Sequence, residues 1–284
     1  MSAFLSDTHR PFLRFQCYNR RMDATNENIQ GKGAARIFWL FLYFLCLYLA
    51  VNAIPFSRFI ASEHLCLGLS LLAKTLLLGY AVWECFRPRN RTLFSFHKLR
   101  RNNLLWLPLI VPCLSNILYV ACFSGSFFPA LDAGKAALAF ADDFIVAILE
   151  EILFRGILFI FFITLFQNKK NGVVYSILLS SIAFGAIHLV NIFSNPPLAV
   201  LAQGAYSFLL GAILSLVYLG SGNFVLPILG HFLFNASNDT IPSMFSSYSM
   251  DVTYYVWSAI LGAFGLLYAV GIAIVMKRRK THVS

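Results

Sequence analysis

The chain has 284 residues, of which 59% are hydrophobic and only 12% are charged, and its mean hydropathy is +0.72. This composition excludes an ordinary soluble domain and is typical of a polytopic membrane protein. The net charge of +10 would suit a nucleic-acid partner, but the basic residues lie in loops between apolar segments. We therefore expect contact with the lipid bilayer and no nucleic-acid partner.

Eight apolar segments follow one another along the chain, and a helix that crosses a bilayer needs ~20 such residues. The predicted spans are 37–54, 65–83, 104–122, 136–166, 173–190, 198–219, 224 to about 238, and 254–276. The seventh is short and has Pro227 in its first turns. The sequence thus predicts an all-α fold with about eight transmembrane helices. It divides into a tail at 1–35, an intramembrane domain at 36–276 and a basic tail at 277–284.

Lys and Arg residues are distributed unevenly between the two sides of this arrangement. Of the 22, 18 lie in the tails and loops of one side, and only Arg58 and Lys135 lie on the other. The positive-inside rule then predicts that both termini are cytoplasmic, in agreement with an even number of spans. Lys74 lies in the middle of the second span, where it can pair with an acidic residue or extend to an interface, and the sequence leaves both open.

Residues 1–35 are polar and basic without an apolar core, so we expect a cytoplasmic tail and not a cleavable signal peptide. Met22 begins a more conventional short leader and offers a second candidate start. The short chain has no organelle address that we identify, which favours a bacterial cell membrane. The six cysteines show no metal-ligand spacing, so we predict small buried side chains and not disulfides.

Two adjacent acidic residues, Glu150 and Glu151, and the basic Arg155 lie inside the fourth predicted span. Charged groups at membrane depth are costly, and they usually face a bundle interior or a wet cavity at a functional site. Glu151 and Arg155 have i,i+4 spacing with the acid first, which favours an ion pair. The pattern predicts that Arg155 neutralises Glu151 and that Glu150 is the freer carboxylate.

Two more motifs place polar residues inside predicted spans. Phe184 and His188 are i,i+4 in the fifth span, and Gly185 beside them allows a neighbouring backbone to come close. His231 and Asn235 are also i,i+4, in the seventh span, so both can face one cavity. A buried His or Asn is often only structural, but two histidines inside spans beside an intramembrane Glu favour a site for general-base chemistry.

Helix rise allows the depths of these residues to be compared. Glu150 and His188 both lie ~22 Å from the cytoplasmic ends of their spans, so the two are level in antiparallel neighbours. His231 lies only ~10 Å from Phe224 and is predicted to be shallower, unless its helix tilts or starts earlier.

The three motifs in series resemble the CPBP family of CAAX-prenyl-protease-2-like and bacteriocin-processing (Abi) intramembrane endopeptidases. The resemblance covers roughly residues 130–240 and rests on Glu150-Glu151-x-x-x-Arg155, Phe184-x-x-x-His188 and His231-x-x-x-Asn235. It implies an eight-helix intramembrane fold and hydrolysis of a peptide bond in a membrane-associated protein or peptide.

The resemblance also implies roles for these residues. Glu150 with His188 would activate a water molecule, and His231 with Asn235 would stabilise the oxyanion. The supporting residues, which would hold the site in shape, are Glu151, Arg155 and Phe184. No cofactor is expected in this mechanism.

Three alternatives stay open at this point. Glu150, His188 and His231 could form a His₂Glu zinc set with an open position, although no H-E-x-x-H spacing is present. The chain could be a non-catalytic scaffold or immunity protein of the same fold. It could also be a proton-coupled transporter, although no internal repeat supports this. The substrate is not specified by the sequence, and prenylated tails, peptide leaders and sorting tails all fit.

Overall fold

The computed structural model describes residues 27–54, 60–87, 90, 101–111, 117–119, 122, 133–193, 195–241, 244 and 252–281. Within these ranges the chain is helical and contains no β-strand, which confirms the all-α prediction. Most of the predicted N-terminal tail, the loop after the second span, parts of the third span and the last three residues lie outside the described residues.

Eight α-helices lie in the described part of the chain. They are α1 (Glu27–Asn52), α2 (Glu63–Phe86), α3 (Ala133–Glu151), α4 (Phe159–Leu165), α5 (Gly172–Ile187), α6 (Pro197–Ser221), α7 (Val225–Asn235) and α8 (Val252–Thr281). Four segments have other helical geometry: 3₁₀ turns at Arg101–Ile110 and His188–Phe193, and π-helical turns at Ile152–Leu158 and Ala236–Thr240.

Four described helices are long and apolar enough to cross a membrane. They are Gly33–Asn52, Glu63–Phe86, Gly172–Phe193 and Pro197–Ser221, at the places of the predicted first, second, fifth and sixth spans. The predicted fourth span is broken into α3, a π-helical turn and α4, and α3 contains five charged residues. The protein is therefore an all-α polytopic membrane protein, and the total of eight spans stays a prediction.

The turn between α6 and α7 sets the direction of α7. Gly222 ends α6 with a left-handed backbone (φ 63°), a conformation that glycine adopts at little cost, and its N–H donates to the carbonyl oxygen of Tyr218 at 2.9 Å. The Asn223 side chain then accepts the N–H of Val225 at 2.8 Å, at the first turn of α7. These contacts lead the chain back along the bundle.

The backbones of helices α5 and α6 come close together at Gly185. A Cβ atom at Gly185 would lie only 2.6 Å from the carbonyl oxygen of Gly204, so a larger residue would force the helices apart. The close approach expected at Gly185 is present.

Lys74 on α2 is paired with Asp142 on α3. Its Nζ lies 2.8 Å from both carboxylate oxygens, and Lys74 is 8% exposed. The sequence left open whether Lys74 pairs with an acidic residue or extends to an interface, and the structure contains the ion pair. This contact ties α2 to the helix that carries Glu150.

Candidate active site

A polar cavity of about 400 Å³ lies between α1, α3, α5, α6 and α7. All four residues predicted as catalytic line it: Glu150, His188, His231 and Asn235. Phe184 also lines it, whereas Glu151 and Arg155 do not. The structure thus brings together side chains from three motifs that are up to 85 residues apart in the sequence.

Glu150 lies at the cavity wall with a polar neighbour at each carboxylate oxygen. The Tyr48 hydroxyl of α1 donates a hydrogen bond to Oε1 at 2.5 Å, and Nε2 of His231 lies 3.4 Å from Oε2. Glu150 is 5% exposed. Glu150 is not the partner of Arg155, as the spacing predicts, but a residue from the first span holds one of its oxygens, which the sequence did not indicate.

Behind the cavity wall, Glu151 and Arg155 form the ion pair that their spacing predicts. Arg155 Nη1 lies 2.7 Å from Glu151 Oε1, and both side chains are almost fully buried. The Arg155 guanidinium also lies over the Phe184 ring, 4.5 Å from its centroid. The pair is buried among apolar residues, since every residue from 151 to 160 is buried.

His231 connects the two glutamates. Its Nδ1 lies 2.9 Å from Glu151 Oε1, and its Nε2 points at Glu150. A carboxylate that is paired with Arg155 can only accept, so Nδ1 carries the hydrogen and the ring plane is fixed by Glu151. His231 is therefore level with the glutamates, and the shallower depth expected from counting along the seventh span is wrong. Helix α7 begins at Val225, so the packing of α7 against α3, and not an earlier start, places it there.

His188 has a different environment. Its Nδ1 lies 2.8 Å from the carbonyl oxygen of Phe184, which can only accept, so Nδ1 carries a hydrogen. This leaves Nε2 as the ring atom available to the cavity. The Phe184 ring stands edge-on to both His188 and His231, with centroids 5.1 and 5.5 Å away. His188 makes no hydrogen bond or ion pair with Glu150, so any joint action needs a molecule between them.

Asn235 lines the cavity one helical turn beyond His231, as the i,i+4 spacing predicts. Its side chain makes no hydrogen bond to the part of the chain that the structure describes. Asn238, one turn further, instead donates to the carbonyl oxygen of Phe234 at 2.7 Å. The two asparagines therefore differ: the Asn235 amide is available to a ligand, and the Asn238 amide stabilises its own helix.

The helix geometry changes at each of the three motifs. Helix α3 becomes π-helical directly after Glu151, α5 becomes a 3₁₀ turn at His188, and α7 becomes π-helical directly after Asn235. Single π-helical turns inside α-helices occur frequently at functional sites. A regular 100° rotation per residue, as assumed from the sequence, does not describe these turns.

Several polar residues around the cavity were missed by the sequence analysis. Tyr48 is the main one, and its hydroxyl group inside an apolar span was a weak signal, because other tyrosines also lie in spans. Asp143 also lines the cavity, and its carboxylate accepts a hydrogen bond from Thr240 at 2.6 Å. On the far wall, the Asn191 amide donates to the Gln203 side chain at 2.9 Å.

The zinc alternative requires Glu150, His188 and His231 to converge on one point. Among the described residues, no group of three or more His, Cys, Asp or Glu side chains is arranged to hold a metal ion. In addition, His231 uses Nδ1 on Glu151 and keeps only Nε2 for any ligand role. Activity without a metal ion stays a prediction.

Residues 132–237 match the family model described as type II CAAX prenyl endopeptidase Rce1-like. This match confirms the family resemblance. The Rce1-like segment is a little over a third of the chain and contains all seven residues named from the motifs. At family level it indicates a CAAX protease-type peptidase, which is a hydrolase that acts on membrane-associated proteins. Comparisons with curated proteins and with solved structures gave no significant match.

Proposed function

We propose that the protein is an intramembrane endopeptidase of the cell membrane that hydrolyses a peptide bond of a membrane-associated protein or peptide. The observation that supports this most is the cavity itself, which collects a carboxylate, two imidazoles and an amide from three separate motifs. These are the group types that acyl transfer to water needs: a base, and donors for a developing negative charge.

In the first step, water lies between Glu150 and His188. Glu150 removes a proton from the water through Oε2, the oxygen that Tyr48 does not hold. His188 accepts a hydrogen bond from the same water through Nε2, because its Nδ1 hydrogen is used on the Phe184 carbonyl. The water oxygen attacks the carbonyl carbon of the scissile peptide bond.

The tetrahedral intermediate carries a negative charge on the former carbonyl oxygen. Asn235 donates its amide hydrogen to this oxygen, and His231 donates from Nε2 when its ring carries a second proton. When the carbon–nitrogen bond breaks, Glu150 returns its proton to the departing amine. The products are a carboxylic acid and an amine, and one water is consumed.

Tyr48 acts as a positioning residue in this proposal. Its hydroxyl group holds Oε1 of Glu150 and so limits rotation of the carboxylate about its last bond. A base held in one orientation loses less freedom when it reaches the transition state. Helix α1 lies outside the Rce1-like segment, so the N-terminal region would contribute directly to the site.

Quantitative proteomics of membrane peptides tests the proposal and identifies the substrate in one experiment. Cells with the wild-type protein are compared with cells that carry Glu150→Ala at equal protein amount. We expect a defined set of new peptide termini that is lost in the variant. Glu84→Gln is the matched control, since Glu84 is also buried but lies away from the cavity. Identical termini in wild-type and Glu150→Ala cells would overturn the proposed function.

A further inference from the structure

Two side-chain amides are paired with each other on the far wall of the cavity that holds Glu150. The Asn191 Nδ2 group donates to Gln203 Oε1 at 2.9 Å, and both side chains line the cavity. Each of the two residues is partly buried. This amide pair takes no part in the proposed reaction, so its presence in the cavity has another cause.

The pairing leaves hydrogen-bonding atoms unused. A side-chain amide carries an acceptor oxygen and two donor hydrogens. Asn191 uses a hydrogen and Gln203 uses its oxygen, so Asn191 keeps Oδ1 and Gln203 keeps Nε2. Neither of these two atoms has a hydrogen-bond partner in the part of the chain that the structure describes. If both amides were turned over, the pair would still keep one oxygen and one nitrogen. The amide pair therefore offers one acceptor and one donor at the cavity wall.

The amide pair is not needed to hold α5 against α6. The two backbones already come close at Gly185, where an added Cβ atom would lie 2.6 Å from the carbonyl oxygen of Gly204. Gln203 directly precedes Gly204, and Asn191 lies in the 3₁₀ turn that continues α5. A contact with a ligand in the cavity explains the unused donor and acceptor, which helix packing does not.

The 3₁₀ turn at His188–Phe193 places Asn191 in line with His188. Residues three apart eclipse each other in a 3₁₀ helix, and the rise per residue separates them by ~6 Å. In an extended peptide, groups that point the same way recur every second residue, at ~6.6 Å. A peptide group beside His188 and a backbone group at the amide pair therefore match positions two residues apart in an extended chain.

A membrane-embedded substrate segment needs such a partner when it is cleaved. Local unwinding of a helix exposes a peptide bond to the base, but it also leaves backbone N–H and C=O groups without partners. Unsatisfied backbone groups are costly at membrane depth. In an extended strand the N–H and C=O of one residue point to the same side, so one donor and one acceptor can satisfy both.

We propose that Asn191 and Gln203 form a subsite that binds the backbone of an extended substrate two residues from the scissile bond. Asn191 Oδ1 accepts the N–H of that residue, and Gln203 Nε2 donates to its carbonyl oxygen. Because both contacts are to the backbone, the subsite selects an unwound segment and not a particular side chain. This inference rests on the proposed peptidase function.

The test uses the substrate peptide that is cleaved in cells with the wild-type protein and not in cells with Glu150→Ala. Synthetic versions of it replace one backbone amide at a time by an ester, which removes one N–H group. The full-length protein in detergent micelles cleaves each version. We expect the ester two residues from the scissile bond, on one side of it, to lower kcat/KM about fivefold, the effect of one neutral hydrogen bond. Esters one and three residues away on that side should have little effect.

The double variant Asn191→Leu with Gln203→Leu removes both amides. Its KM should rise about twentyfold, the effect of two such hydrogen bonds, and its kcat should stay similar, because the subsite holds the substrate and the transition state alike. The ester two residues from the scissile bond should no longer lower its kcat/KM. The exchange variant Asn191→Gln with Gln203→Asn keeps the pair and should recover most of the loss. Asn195→Leu is the matched control, since Asn195 is exposed and lies outside the cavity.

Two results would overturn the proposal. One is a wild-type protein that cleaves all the ester peptides equally well, and this result is decisive even if the double variant does not fold. The other is a double variant with a lowered kcat, an unchanged KM and the ester effect of the wild-type protein, which would mean that the pair only supports the turn that carries His188. A wild-type protein that cleaves no peptide would instead overturn the proposed function and this inference with it.

Discussion

Glu150 and Glu151 are adjacent in the sequence but lie in two different environments, one at the cavity and one in the buried interior. Glu150 faces a polar cavity, where a neutral hydroxyl group holds one oxygen. Glu151 lies behind the wall with no exposure and is held by Arg155 and His231. The difference shows how adjacent carboxylates can have distinct environments: one faces the cavity, where we propose that it reacts, and the other is paired with a buried cation and contacts an imidazole.

Glu150→Gln should have the largest effect, because it removes the proposed base and keeps the shape of the side chain. We expect cleavage to fall to background while the amount of folded protein and its melting temperature change little, since the amide oxygen of the new side chain can still accept a hydrogen bond from Tyr48. Cleavage by purified protein, normalised to folded material, measures this. Full activity in Glu150→Gln would show that another group is the base.

Glu151→Gln should act mainly on stability. It leaves Arg155 buried without its partner, and the loss of one member of a buried pair costs ~3–5 kcal/mol. The measurement is the yield of folded protein and its thermal unfolding midpoint. The double variant Glu151→Gln with Arg155→Met should recover much of the loss, because it removes the unpaired charge. A stable Glu151→Gln protein would contradict the division of roles between the two glutamates.

Asn235→Ala tests the cavity side at its far end. If Asn235 is an oxyanion donor, its loss should lower turnover ~10²–10³-fold and leave substrate binding almost unchanged. Asn238→Ala is the matched control, because that amide bonds within its own helix. As an interhelical contact only, Asn235 would contribute ~0.6 kcal/mol to stability and nothing to turnover per folded molecule.

Tyr48→Phe should have the smallest effect of the four. Removal of the hydroxyl group leaves Glu150 charged but less well oriented, so kcat should fall about tenfold, which is the value of one hydrogen bond to a charged group, while KM stays similar. Tyr43→Phe removes a hydroxyl group from the same helix, away from the cavity, and should leave both constants unchanged. If Glu150→Gln is inactive but Tyr48→Phe has an unchanged kcat, only the proposed role of Tyr48 is rejected, and Glu150 stays the proposed base.

Local spacing accounts for the part of the site that sequence analysis predicted well. The i,i+4 relation of His231 with Asn235 depends on α-helix geometry alone, and both residues line the cavity. Glu151 and Arg155 form the predicted pair although Arg155 lies in a π-helical turn. The π-helical turn at Ile152–Leu158 was not predictable, because it depends on how α3 and α4 pack against their neighbours. The orientation of the whole chain in the membrane and the total of eight spans stay predictions from charge and hydropathy.

Contacts between residues far apart in the sequence could be identified only from the tertiary structure. Tyr48 and Glu150 are 102 residues apart, His231 and Glu151 are 80 apart, and Lys74 and Asp142 are 68 apart. Each depends on the rotation and depth of two helices, which no single helix specifies. The sequence by itself determined that the protein is a helical membrane protein with charged groups at membrane depth, because composition and local periodicity act residue by residue. Only the packing of α1, α3 and α7 decided that a tyrosine holds one glutamate and that one histidine contacts both.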